Sequence, residues 1–264
     1  MLPGDLTNKR RLRIGVYWLS QALKRRYPGR GIGVWWIVLA PLVLVTIYTS
    51  VLTGVMGLRW GMEEHAPVYF GLMVLIGVAY YQAFSECLIR ASGLIHEKAN
   101  LARKVKVPWE VLPFVLLGEV ALPLICNLIV ILVGLGITGV LHPVGVFYLP
   151  VIILPFFLLL AGCAALNSVL GVFFRDLGQL MNFLSMALLF MSPVFFSMDI
   201  VPESLRQLML VSPLTIPVEM TRIALTDGEL NTVWLLLLWT LSSVVFMAGM
   251  LIFRLTRESF ADGF

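Results

Sequence analysis

Long apolar runs alternate with short polar segments along this chain. Six charge-poor runs are long enough to cross the bilayer, which takes about 20 predominantly apolar helical residues. The predicted spans are residues 32–56, 68–89, 111–140, 146–174, 177–198 and 232–253. The link 141–145 is so short that the third and fourth spans are expected to form a tight hairpin. The pattern predicts an all-α integral membrane protein, with six transmembrane helices in a single domain, 1–264.

The segment 199–231, before the last span, interrupts this pattern. It is apolar enough to suggest a seventh span, but three prolines interrupt it, and four of its charged residues would lie at membrane depth in a continuous crossing. Two helices at about 202–211 and 215–226 fit better, and each is too short to cross. We therefore predict that the pair, on the periplasmic side, is re-entrant or interfacial, with its free backbone groups buried by protein. Within it Glu219 and Arg222, spaced i,i+3, are expected to pair with each other.

The distribution of cations supports the six-span arrangement. Sixteen of the 19 Lys and Arg residues fall on one side: in the N-terminus, in the 90–110 loop, at Arg175 and in the tail. The positive-inside rule then places both termini and that loop in the cytoplasm. The net charge of +4 therefore reflects membrane topology, and we expect no nucleic-acid partner.

Two cytoplasmic segments have an amphipathic pattern. In residues 9–26, Leu12, Val16, Leu19 and Leu23 form one stripe between cationic ends, which predicts a helix in the headgroup plane within a cytoplasmic segment 1–30. The central loop 96–110 is basic, and Pro108 breaks it before the next apolar run. As a helix over residues 99–107, it would offer a polar surface to a partner. The alternative, for both segments, is a solvated stretch that only sets topology.

Composition and motifs exclude several functions. The chain is 59% hydrophobic and 13% charged, whereas soluble domains carry about 25% charged residues. Its three cysteines all lie in apolar runs without metal-ligand spacing, and no metal site is predicted. The chain contains no phosphate-binding loop, HExxH or GxSxG motif, so no catalytic residues are assigned.

An ion-driven carrier would need ionisable groups near mid-membrane. Glu86 and Glu119 are the only candidates within the predicted spans, and both lie within a few turns of the cytoplasmic surface. Glu86 can instead pair with Arg90 at i,i+4. The sequence therefore gives little support to a proton relay.

Several motifs, in order along nearly the whole chain, resemble those of bacterial polysaccharide-exporting ABC permeases, the exporters of O-antigen, capsule or teichoic acid. The matching residues are Arg26, Tyr27, Ile32, Gly33 and Trp36 at the first span, Asn100, Leu101, Lys104, Val105, Pro108 and Pro113 in the central loop, and Phe174, Arg175 and Asp176 after the fourth span. The run 191–225 is similar to the family's Ser-Pro, Pro-Glu and Asn-Pro-Leu series. The chain departs from the family pattern at Arg30-Gly31 and at Ser212, which stands in place of Asn.

This resemblance implies a homodimeric permease that works with two copies of a separate cytoplasmic ATPase. ATP and Mg²⁺ would then be bound by that partner, and this chain would carry no cofactor. The coupling residues implied are Asn100, Leu101, Arg103, Lys104, Val105 and Pro108. The residues implied at the cytoplasmic interface are Arg26, Tyr27, Trp36, Arg175 and Asp176.

The substrate expected from the resemblance is a lipid-linked, O-antigen-like polysaccharide that crosses the bacterial inner membrane through the dimer centre. Sugar rings offer apolar faces to aromatic side chains, so aromatic residues are candidates for the pathway. The candidates are Tyr80, Tyr81, Phe84, Phe183, Phe190, Phe195 and Phe196. Membrane helices are also rich in aromatics for reasons of packing and interfacial anchoring. The alternatives are an ABC permease for teichoic acid, lipid or drug and, in a different class, an ion-coupled carrier or a membrane enzyme acting on lipid-linked sugars.

Overall fold

The computed structural model describes residues 15–21, 35–53, 66–102, 109–174 and 176–256. Within these ranges all regular structure is helical and no strand occurs. The α-helices are α1 (15–21), α2 (Trp36–Tyr48), α3 (Ala66–Ala102), α4 (Leu112–Ile137), α5 (Pro143–Phe173), α6 (Leu177–Phe190), α7 (Glu203–Leu210), α8 (Thr215–Thr226) and α9 (Thr232–Thr256). A π-helical turn, Thr49–Thr53, continues α2.

Four helical stretches of the described chain are long and apolar enough to cross a membrane. They are Val68–Glu97, Trp109–Ile137, Pro143–Phe173 and Thr232–Thr256. The first and fifth predicted spans correspond to shorter apolar helices, Leu39–Val51 and Leu177–Phe190. The bent pair α7–α8 would be a fifth crossing if it counts as one broken span. The structure thus shows a multi-pass helical membrane protein with four or five candidate spans, against six from the hydropathy pattern.

Helix α3 is the centre of the molecule. It contacts α2, α4, α5, α6 and α8, and 72% of its most apolar stretch is buried inside the chain. Its 37 residues extend for about 55 Å at 1.5 Å per residue. The predicted span 68–89 therefore covers only the first part of a longer helix.

The central loop differs from its prediction at the start. Residues 99–102 are the last turn of α3, so no separate helix begins at residue 99. An apolar span can continue as a polar helix past the membrane surface because the backbone hydrogen bonds of a helix do not depend on its surroundings. Residues 103–107, the rest of the predicted helix, lie outside the described residues.

Small residues allow the other helices to approach closely. A Cβ added to Gly162 of α5 would lie 2.6 Å from the carbonyl oxygen of Val245 in α9, and Gly249 faces Gly162 in return. A Cβ on Gly145, near the start of α5, would lie 1.8 Å from the carbonyl oxygen of Ala224 in α8. Close helix contact through small residues is the usual way to gain van der Waals energy in a membrane.

Candidate functional site

The pair α7–α8 is sharply bent. The two helices meet at 105°, with Pro213 in the intervening turn. Ser212 stabilises that turn: its Oγ accepts a hydrogen bond from the Leu214 N–H at 3.3 Å and pairs with Ser192 Oγ at 2.6 Å. Thr215 Oγ1 donates to the carbonyl of Met209 at the end of α7 at 2.5 Å. Ser212 thereby gives the Leu214 N–H a partner beside the helix break, and Thr215 ties α8 to the end of α7.

Arg222 of α8 joins three parts of the chain. Its guanidinium lies 2.7 Å from Glu219 and donates to the Met73 carbonyl of α3 at 2.9 and 3.1 Å. It also donates to carbonyl oxygens in the loop after α6. These are the oxygens of Pro193 at 2.6 Å, Val194 at 2.9 Å and Phe196 at 3.3 Å. Both side chains of the ion pair are buried, with 4% and 8% exposed. We call Glu219, Arg222 and these carbonyls the Arg222 clamp.

Gly77 allows the loop after α6 to pack closely against α3. A Cβ at this position of α3 would lie 2.7 Å from both the Cα and the carbonyl oxygen of Val194. Without a side chain on Gly77, the loop backbone can lie against α3, where its carbonyls reach Arg222. One helical turn further along α3, Tyr80 shares a 2.8 Å hydrogen bond with Thr221 of α8.

The predicted pathway aromatics occupy different environments. Tyr80 and Phe84 are buried in the core, and the Tyr80 ring stands edge-on to Phe156 at 4.9 Å. Protein therefore covers the faces of Tyr80 and Phe84, and neither is on a surface of the chain that a substrate could reach. The remaining candidates keep an accessible surface: Phe183 and Phe190 are exposed on α6, and Tyr81, Phe195 and Phe196 are half-buried.

A second group of charges lies between α3 and α4. Arg90 contacts Glu86 at 2.8 Å and also binds Glu119 of α4. The side chains of Arg90, Glu86 and Glu119 are 38%, 26% and 10% exposed, so this group is more open than the Arg222 clamp. We call it the Arg90 cluster. It stands at the edge of a cavity of about 420 Å³ that opens between the two helices.

The residues predicted at the cytoplasmic interface are only partly described. Asn100 and Leu101 lie on the last turn of α3, and Trp36 is an exposed residue at the start of α2. Asp176 precedes α6, and its carbonyl accepts the N–H groups of Gln179 and Leu180. The other predicted residues lie outside the described residues: Arg26, Tyr27, Arg103, Lys104, Val105, Pro108 and Arg175.

Sequence reasoning missed three residues of these sites. Gly77 was passed over, although an isolated glycine in a helical pattern can indicate close backbone approach. Glu119 was not recognised as a partner of Arg90, because a loop separates the two in sequence. Asn127, an amide within an apolar span, lines the cavity, and the rule that polar residues inside membranes are functional candidates would have identified it.

The fold and these sites define a class. The described chain is a bundle of apolar helices, and in that part of it no group of three or more His, Cys, Asp or Glu side chains could hold a metal ion. Its buried charged groups serve helix contacts. These are the features of a multi-pass helical membrane protein.

Comparison with known proteins gives the family. The model of the ABC-2 type transporter family matches residues 16–226, and the chain belongs to this family. It is 24% identical over 244 residues to an O-antigen export system permease protein RfbA of Klebsiella pneumoniae, with 92% of each chain covered. It is 26% identical over 251 residues to the protein of the same name in Myxococcus xanthus, again with 92% of each chain covered. The resemblance to polysaccharide-export permeases is confirmed. The protein is the membrane subunit of an ABC transporter, a family that works with an ABC ATPase.

Proposed function

We propose that this chain forms, as a homodimer, the transmembrane path of an exporter that moves a lipid-linked, O-antigen-like polysaccharide across the bacterial inner membrane. Two copies of a separate cytoplasmic ATPase would bind ATP and Mg²⁺ and supply the energy. The observation that carries the proposal is the similarity to O-antigen export permeases over 92% of the chain, together with membership of the ABC-2 family. The proposed substrate class is that of these relatives, which are O-antigen export permeases by name.

The proposed topology has six crossings, by α2, α3, α4, α5, α6 and α9, with both termini in the cytoplasm. Helix α6 has 14 residues, about 21 Å of helix, so the segments at its ends must complete its crossing. The pair α7–α8 would be re-entrant from the periplasmic side. Its 105° bend and its buried ion pair support this, because a charged pair at membrane depth needs enclosure by protein.

Coupling would act along α3. Its last turn carries Asn100 and Leu101 of the segment proposed to contact the ATPase, and its other half carries the Met73 carbonyl bound by Arg222. A helix transmits an axial displacement with little compression, because every turn is hydrogen-bonded to the next. Movement of the ATPase would therefore reach α8 and the loop after α6 through one rigid element. The proposed effect is a change in the width of the path near α7–α8.

The path itself would be lined by aromatic residues with accessible rings. Tyr81, Phe190, Phe195 and Phe196 remain candidates, together with Phe183, whereas the burial of Tyr80 and Phe84 assigns them to the core. Rings of this kind offer apolar faces to sugars without fixing them through strong polar bonds, which suits a polymer that must keep moving.

The test is co-purification of this chain with its candidate ATPase, comparing the wild type with Lys104→Glu and Val105→Asp. Arg59→Glu, in the loop predicted to lie on the opposite side of the membrane, is the matched control. We expect the wild type and the control to hold the ATPase and stimulate ATP hydrolysis, and the two loop variants to lose both.

Failure of the wild type to bind any ABC ATPase would overturn the proposal and favour an ion-coupled carrier or a membrane enzyme. Normal coupling by both loop variants would remove the central loop from the ATPase interface. Export assays with O-antigen, teichoic acid and lipid substrates in a coupled preparation then separate the proposed substrate from the alternatives within the ABC class.

A further inference from the structure

Polar residues form a stripe within the mostly apolar lining of the cavity between α3 and α4. Gln82, Glu86 and Arg90 are spaced i, i+4, i+8 on α3, so they form one stripe along its surface. Pro123 and Asn127 continue the stripe that Glu119 begins on α4, again at intervals of four. Because Arg90 binds Glu119 at one end and the helices are antiparallel neighbours, Gln82 and Asn127 stand at the other end. The stripe on α3 covers about 12 Å along the helix.

Asn127 of α4 lines this cavity and carries an acceptor without a partner. Asn127 is 5% exposed, and its Oδ1 is buried without a hydrogen bond. Pro123, which also lines the cavity, has no N–H, so the helix lacks the hydrogen bond that this position would normally give to the Glu119 carbonyl. Unpaired polar groups at membrane depth are costly, and lipid chains offer no donor. The lining therefore suits an occupant that supplies O–H or N–H groups.

The charge of the lining restricts that occupant further. The Arg90 cluster holds one cation and two carboxylates, a formal net charge of −1. Carboxylates, a guanidinium and an amide bind hydroxyl groups well, whereas a phosphate or sugar acid would meet net repulsion. The half-buried ring of Tyr81 stands beside these groups and offers an apolar face. The volume, about 420 Å³, lies in the range of small-molecule sites.

We propose that this cavity is a binding site for one or two sugar units that are uncharged or carry an amino group, and that it selects against acidic glycans. The inference rests on the proposed function and adds to it a site on the flank of α3 and a substrate preference. It also explains why an unpartnered amide persists at Asn127, where leucine would make a more stable helix pair.

The test uses the complete transporter with its ATPase in lipid nanodiscs, with saturation-transfer NMR to glucose, glucosamine and glucuronic acid. The wild type is compared with Asn127→Leu and Glu119→Gln. Asn167→Leu is the matched control, because Asn167 is a buried amide of α5 whose Nδ2 donates to the Cys163 carbonyl outside this cavity. Thermal unfolding is recorded for each variant.

We expect the wild type to bind glucose and glucosamine about tenfold more tightly than glucuronic acid, a difference of about 1.4 kcal/mol. Asn127→Leu should weaken all sugar binding about tenfold while leaving thermal stability equal or higher, a combination that a structural role for Asn127 does not predict. Glu119→Gln removes one negative charge and should reduce the discrimination against glucuronic acid. The control should bind as the wild type does.

No saturation of any sugar, or unchanged binding by Asn127→Leu, would overturn the inference and assign the cavity to water. Equal binding of glucuronic acid by the wild type would overturn the charge preference. Association with the ATPase, measured in the same preparation, keeps the two proposals apart. A transporter that couples to its ATPase but binds no sugar here loses only this inference, and one that holds no ATPase loses the proposed function.

Discussion

The Arg222 clamp and the Arg90 cluster are both charged groups between packed helices, yet they are built differently. Arg222 has five acceptors, four of them backbone carbonyls, and is 4% exposed. The Arg90 side chain binds two carboxylates and is 38% exposed beside an open cavity. All three guanidinium nitrogens of Arg222 donate hydrogen bonds in the clamp. The cluster, in contrast, borders the buried amide of Asn127, whose Oδ1 has no hydrogen-bond partner.

This difference indicates a structural role for the clamp and a capacity for ligand binding in the cluster. A charge that is enclosed and fully hydrogen-bonded fixes the elements around it, and here it fixes α8 and the loop after α6 onto α3. A charged group that faces a cavity with spare acceptors retains capacity to bind something else. We therefore expect substitutions in the clamp to act mainly on folding, and substitutions in the cluster to act mainly on ligand binding and transport.

The largest expected effect is that of Arg222→Met. It removes the hydrogen bonds to three segments and leaves Glu219 buried without its cation, which should cost at least about 3 kcal/mol. The measurement is thermal unfolding of the purified chain, with the monodisperse fraction after detergent extraction. Arg206→Met is the control, because Arg206 lies on the exposed helix α7 and donates to the Met198 carbonyl. Equal stability of the two variants would contradict the clamp.

Arg90→Met should destabilise the chain by less, about 1.5–3 kcal/mol, because the cavity lets water reach the carboxylates that it leaves behind. Glu86→Gln, which changes the more exposed partner of Arg90, should cost less again. Unfolding in denaturant measures both. A loss for Arg90→Met as large as that for Arg222→Met would show that the two groups are energetically alike.

Gly77→Ala tests the close contact that the clamp needs. Its Cβ would collide with the backbone of Val194, so the loop must move from α3 at a cost of about 1–3 kcal/mol. Gly136→Ala, where the nearest atom would be 3.9 Å away in Leu141, should be neutral or slightly stabilising. The difference in unfolding temperature between these two glycine variants is the measurement.

The smallest expected effect is that of Tyr80→Phe. It removes the hydrogen bond to Thr221 but keeps the ring against Phe156, so it should cost about 0.5–1.5 kcal/mol. Because Tyr80 is buried, export should be unchanged once protein levels are equalised. Tyr81→Phe serves as the comparison, since its ring lines the cavity. A specific loss of export in Tyr80→Phe would return Tyr80 to the pathway.

Much of the architecture was predictable because it depends on local patterns. The length of the apolar runs predicted the long helices, and prolines and charged residues predicted the break before α9. The predicted helices 202–211 and 215–226 differ by at most one residue at each end from α7 and α8. The prediction at residue 99 was wrong, because polarity marks the membrane surface and not the end of a helix. The buried Tyr80 and Phe84 show the same limit, because the identity of an aromatic residue does not tell whether it packs in the core or lines the substrate pathway.

The sequence by itself determined the class of this protein, its long helices, its charge asymmetry and its family resemblance, because each of these depends on the pattern of neighbouring residues along the chain. Only the tertiary structure decided which groups meet. Arg222 reaches the Met73 carbonyl across 149 positions, and Arg90 reaches Glu119 across 29. Such contacts depend on how the helices are placed side by side, and in a membrane that placement follows from small residues and polar partners that carry no period in the sequence.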